Sequence, residues 1–230
     1  MNPKTICKIA IDFFLAVGLL LLMAYELVGQ AAHEWIGTGV FLLCIIHLIL
    51  NWNWIIHLKK GHYTTYRILQ TLVTAFIFWS VVGLMISGII LSRHVFSFLS
   101  ISDGLSFARI LHMFCAFWGF VLISIHMGLH SSMLMGVMGS VIHISRASMP
   151  QTLFLRTTTL LIATYGIYAF FQRQISSYLF LQNQFVFFDF NEPLAAFIAN
   201  YLAIMGLFSC IGYYFSKLLR TQDQRQRGKV

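Results

Sequence analysis

The sequence predicts an all-α fold, a polytopic membrane helix bundle of about six transmembrane helices, and three observations carry the prediction. Of the 230 residues, 59% are hydrophobic and only 10% charged, far from the balance of a water-soluble domain. The apolar residues gather into runs near or above the about 20 residues needed to cross about 30 Å of hydrocarbon. The basic residues are confined to short segments between those runs. A chain inside hydrocarbon must satisfy its backbone polar groups within each span, and a helix does so.

The first run, residues 9–28, follows Lys4 and Lys8 and resembles a leader, but it is long and further runs follow, so it reads as a retained helix. Further spans are expected at residues 34–56, 68–91, 108–130, 153–171 and 193–219. Residues 131–150, rich in Met and Ser, form a cytoplasmic or interfacial connector that either continues the fourth span or lies along the membrane surface. Pro193 suits the first turn of the last helix, with Asn191 near its cap. The chain thus reads as a single integral membrane domain, with a four-helix core over residues 9–130 and two further helices over 153–219.

A formal net charge of +8 is compatible with nucleic-acid binding, but no basic stripe with interleaved aromatics exists. The charges instead read as topology signals. Lys4, Lys8, Lys59, Lys60, Arg67, Arg146, Arg156, Lys217, Arg220, Arg225, Arg227 and Lys229 all fall on one side of six spans. The positive-inside bias makes that side cytoplasmic, with both termini, and a bacterial inner membrane is the expected location. Glu26, Glu34, Arg93, Asp103, Arg109, Arg173, Asp189 and Glu192 fall on the other side. The four cysteines, Cys7, Cys44, Cys115 and Cys210, are isolated, which leaves neither a disulfide framework nor a CxxC metal site.

The chemical signal is the spacing of histidines. Nine histidines make 36 pairs, of which chance puts only about 0.3 at a separation of 14 residues. Two pairs occur, His33 with His47 and His112 with His126, each within or at the mouth of one expected helix. Fourteen steps of about 100° return to within about 40° of the start, so the members of a pair share a face about 21 Å apart. The second and fourth spans run parallel, which puts His33 level with His112 and His47 level with His126. A haem iron devoted to electron transfer takes one imidazole on each side. Two b-type haems are therefore expected, an outer one on His33 and His112 and an inner one on His47 and His126.

Gly119, midway between His112 and His126, and Gly37, one turn from His33, would let a flat macrocycle approach the backbone, although ordinary helix packing explains both equally well. Arg93 or Arg109 on the outside, and Lys59, Lys60 or Arg67 on the inside, are placed to meet propionates. His130, one turn beyond His126, competes with it as a ligand, but only His126 matches the spacing of the other pair. His130 is then left to bond an inner propionate. His94 reads as a surface residue, with contact to a propionate or a quinone as the alternative, His57 and His62 read as solvated, and His143 is unassigned. Glu34, beside His33, reads as hydrated at the helix mouth.

At these residues the chain resembles the di-haem cytochrome b architecture of quinol-oxidising complexes, whose second and fourth helices each carry two histidines with thirteen residues between them. Ferric reductase and NADPH oxidase membrane domains share the doubled spacing. The segments HEWIG, HLILNWNW and LHMFCAFWGFVLISIHMGLH are similar to an uncharacterised bacterial membrane family, a domain of unknown function taken to be cytochrome b-like. The resemblance implies two stacked haems. The Pro-Glu-Trp-Tyr segment of a cytochrome b quinol site does not occur, nor does a Gly-rich dinucleotide fingerprint.

The expected function is a membrane electron conduit, the membrane subunit of an oxidoreductase, between quinol or a cytoplasmic donor and a partner redox protein. A self-contained oxidoreductase acting on quinone, superoxide or ferric ion at an exposed haem edge is the first alternative. A haem, metal or proton transporter using the same histidines is the second.

Overall fold

The computed structural model describes residues 3–141, 149–183, 185–189 and 191–227, without the side chains of 132–141, 150, 226 and 227. The described residues are helical, with no strand among them. In chain order the helices are α1 (Pro3–Met23), α2 (Tyr25–Val28), α3 (Gln30–Leu50), α4 (Trp52–Ile56), α5 (Thr65–Leu91), α6 (Leu105–Val141), α7 (Met149–Gln172), α8 (Ile175–Leu179) and α9 (Leu194–Arg227). A 3-10 turn at Ser97–Leu99 lies between α5 and α6.

Six of them, α1, α3, α5, α6, α7 and α9, are long and apolar enough to cross a membrane. Large apolar side chains such as Phe13, Trp35, Phe76, Trp79, Leu160 and Phe171 are exposed along these helices, as lipid-facing residues must be. The chain is an integral membrane protein with a polytopic helical architecture.

The ends of the spans differ from the sequence expectation for local reasons. The first span starts earlier and is interrupted at Ala24, whose N–H bonds back only three residues, to the Leu21 carbonyl. The second span ends at Leu50, six residues before the expected end of the apolar run. The Asn51 side-chain amide and its own backbone N–H share the His47 carbonyl, at 2.9 and 3.1 Å. The fourth helix continues to Val141. The last begins at Leu194, with Pro193 just outside it, and runs to Arg227. His143 and Arg146 lie outside the described residues.

The fold divides into two compact units. The first contains Met1–His62, Trp79–Phe117 and Ser177–Ala199. In it α1 packs along α3 as an antiparallel hairpin through α2 and Gly29, whose φ of +83° is the left-handed conformation that a side chain disfavours. The second unit contains Tyr63–Phe78, Trp118–Ser176 and Asn200–Val230. There α9 runs against α6 at backbone distance, with Gly128 under the Ser209 carbonyl and Gly212 under the Ile125 carbonyl. The Ser209 hydroxyl donates to the Ser124 carbonyl at 2.9 Å, and Tyr165 on α7 donates to Asn200 on α9 at 2.6 Å. Near its far end α9 presents Asp223, whose carboxylate accepts the N–H groups of Thr65 and Tyr66 at 3.3 Å each and so caps α5. Arg220 donates to the Tyr66 hydroxyl at 2.7 Å, and that hydroxyl donates to the Leu129 carbonyl at 3.1 Å.

Candidate functional site

In the first unit α3 and α6 bring His33 and His112 together, with ring centroids 6.1 Å apart and planes inclined at 60°. Two imidazoles that shared one metal ion, through bonds of about 2 Å and about 1.1 Å more from nitrogen to ring centre, would have their ring centres about 6 Å apart. The spacing therefore fits one metal centre between the rings.

Their surroundings differ. His112 Nδ1 is 3.0 Å from the Ser87 hydroxyl, which is fully buried on α5. That hydroxyl is also 2.6 Å from the Gly83 carbonyl and 3.2 Å from the Leu84 carbonyl. Its single hydrogen goes to a carbonyl, so it meets Nδ1 with a lone pair, and Nδ1 carries the proton. The Nε2 lone pair of His112 is thereby left for a ligand.

His33 Nδ1 is buried and has no hydrogen-bond partner among the described residues. A buried polar atom without a partner costs about 1–3 kcal/mol and marks a position where a ligand or ion belongs. The Tyr25 ring meets His33 edge-on at 5.0 Å, and the Leu22 backbone is a further neighbour. Tyr25 lies outside the spans; burial first, then the nearby Glu26 and Glu34, push its phenol above the ordinary value of 10.0, against an opposing Arg93.

Glu34 is not simply hydrated. Its carboxylate accepts the Ser92 hydroxyl at 2.6 Å and the N–H groups of Arg93, His94 and Val95 at 2.9 Å each. A carboxylate next to a histidine thus ties α3 to the turn that follows α5. Arg93 and Arg109 are exposed, with the Arg109 guanidinium 5.9 Å from the Phe185 ring centre. Gly37 has room for a methyl group, which would rest 3.7 Å from Leu22, and Gly119 is buried in α6.

At the other end of α3, His47 Nδ1 is 2.7 Å from the Asp12 carboxylate of α1. A carboxylate accepts only, so Nδ1 donates and Nε2 keeps its lone pair, with the Asn51 amide 3.4 Å away. Lys8 donates to Asn51 Oδ1 at 2.9 Å and completes the cluster.

In the second unit His126 and His130 face one side of α6, with ring centroids 4.6 Å apart. His130 Nε2 is 2.9 Å from the Gln70 amide. His126 Nδ1 lies 3.5 Å from the Thr74 hydroxyl, which donates to the Gln70 carbonyl at 2.9 Å. Thr74 and Ser87 thus repeat one device on α5, a hydroxyl bonded back to its own helix that offers a lone pair to a histidine of α6.

Two imidazoles complete an iron whose other four donors belong to a macrocycle. A bare ion wants three or four protein donors, and among the described residues no group of three or more His, Cys, Asp or Glu side chains gathers. The donor set and the unpartnered His33 nitrogen fit a haem better than a simple metal ion.

Sequence reasoning missed Asp12, Asn51, Gln70, Thr74 and Ser87. Asp12 carried a usable signal, since an acidic residue inside an apolar span is functional by default. The chain matches no family model, no curated protein and no solved structure.

Proposed function

We propose that the chain is a di-haem b-type membrane cytochrome that carries electrons across the bilayer, between quinol or a cytoplasmic donor and a partner redox protein. The observation that carries the proposal is the 6.1 Å approach of His33 and His112, each of which has a second histidine fourteen residues away on its own helix. His33 and His112 would hold the outer group, and the equal spacing in the sequence is what assigns His47 and His126 to an inner one. A haem held by two imidazoles would supply single-electron exchange.

The residues around the ligands supply orientation. Ser87 and Asp12 hold the Nδ1 protons of His112 and His47, which aims the opposite nitrogens and keeps the rings from turning. The Gln70 bond to His130 favours His126 as the inner ligand of α6. The resemblance of HEWIG and LHMFCAFWGFVLISIHMGLH to a cytochrome b-like membrane family points the same way. The basic flanks at Lys4, Lys8, Lys59 and Lys60 favour cytoplasmic termini in a bacterial inner membrane.

The test is a reduced-minus-oxidised spectrum with a haem assay on the purified chain from haem-supplied cells. About two haems per chain are expected, with His47→Ala and His112→Ala each losing one of different potential. Well-folded protein without haem overturns the proposal.

A further inference from the structure

Asp12 is an acidic residue inside a helix with the hydropathy of a membrane span, and its side chain is 54% exposed along that helix. A bare carboxylate is costly there. Its recorded bond is to His47 Nδ1, at 2.7 Å. The two histidines that approach each other, His33 and His112, have neutral partners instead. His112 meets a neutral hydroxyl at 3.0 Å, and His33 the neutral backbone carbonyl of Leu22.

The partner of Nδ1 controls what the opposite nitrogen gives to a metal. A carboxylate draws on the Nδ1 proton and makes the imidazole a stronger electron donor, which favours the more oxidised iron and lowers its potential. A neutral hydroxyl or carbonyl does this less. The nearby charges do not cancel the contrast. Lys8 donates to Asn51 rather than to the ring, and the Glu34 charge is shared among four donors of residues 92–95.

We infer that Asp12 is a positioning residue that makes the His47 site the lower-potential of the two, so that electrons run from the His47 end of the chain toward the His33 end. The inference rests on the di-haem reading and adds to it a direction.

Potentiometric titration of the full purified chain, with a haem count for every variant, tests it. The component missing from His47→Ala is expected to be the lower-potential one. Asp12→Asn keeps two haems and raises that component alone, which narrows the gap. Asp12→Glu restores the low value. Ser87→Ala raises the component missing from His112→Ala, by less.

A higher-potential component missing from His47→Ala, or an Asp12→Asn chain with both midpoints unchanged, overturns the inference and leaves the di-haem reading standing. Should Asp12→Asn lose a haem, its return at low potential in Asp12→Glu supports the role of Asp12, and its absence there overturns it. A His47→Ala chain that keeps two haems strikes the di-haem assignment itself.

Discussion

Glu34 is one residue from His33, yet its carboxylate holds three successive N–H groups and a hydroxyl of the turn after α5. Hydrogen bonds to a charged acceptor are stronger than neutral ones, so Glu34→Ala is expected to lower stability by about 1–3 kcal/mol, read as an earlier midpoint in thermal unfolding of the detergent-solubilised chain. Tyr25 gives a pH-dependent contribution. Its phenol is raised above 10.0 in the folded chain, chiefly by burial and then by Glu26. The protonated form is therefore the one that folding favours, so its contribution is full below pH about 10 and is lost as pH rises through the native value. Tyr25→Phe removes that alkaline loss, and an unfolding series from pH 8 to 11 reads it. At this scale the histidines were legible because a repeated spacing is improbable by chance. Ser87 and Thr74 were not, since a hydroxyl in an apolar run looks the same whether it caps its own helix or also holds a histidine.

α6 and α9 approach closely because Gly128 and Gly212 face backbone carbonyls, those of Ser209 and Ile125. A methyl group at either position collides with main chain, which cannot rotate aside as a side chain can. Gly128→Ala is expected to be destabilising by about 1–3 kcal/mol, and Gly128→Val by more, measured by thermal aggregation of the solubilised protein. Gly37→Ala has room and serves as the control. The apolar runs announced the spans well. The breaks at Ala24 and Asn51 were hidden, because hydropathy records the transfer of a residue and not how a side chain shares the His47 carbonyl with the backbone. The overrun of α9 to Arg227 was hidden for the opposite reason, since a helix that leaves the hydrocarbon turns polar without ending.

For the whole molecule, six crossings require that the loop before α5 and the loop after it open on opposite sides of the bilayer. Cysteines placed at Lys60 and at Ser100 in a cysteine-free chain are expected to react with an impermeant maleimide from opposite faces of sealed vesicles, and reaction of both from one face removes a span. The number of spans was legible in composition. The division into two units, with α5, α6 and α9 each contributing to both, was not, because it arises from contacts between distant segments. One of those contacts has a consequence for biosynthesis. Asp223 caps the first turn of α5 from 158 residues downstream. At about 5–20 residues per second the ribosome needs about 8–30 s to cover that distance. During that time α5 is in place without its cap, with water at the N–H groups of Thr65 and Tyr66, and the order of synthesis makes α9 the clasp that closes the chain.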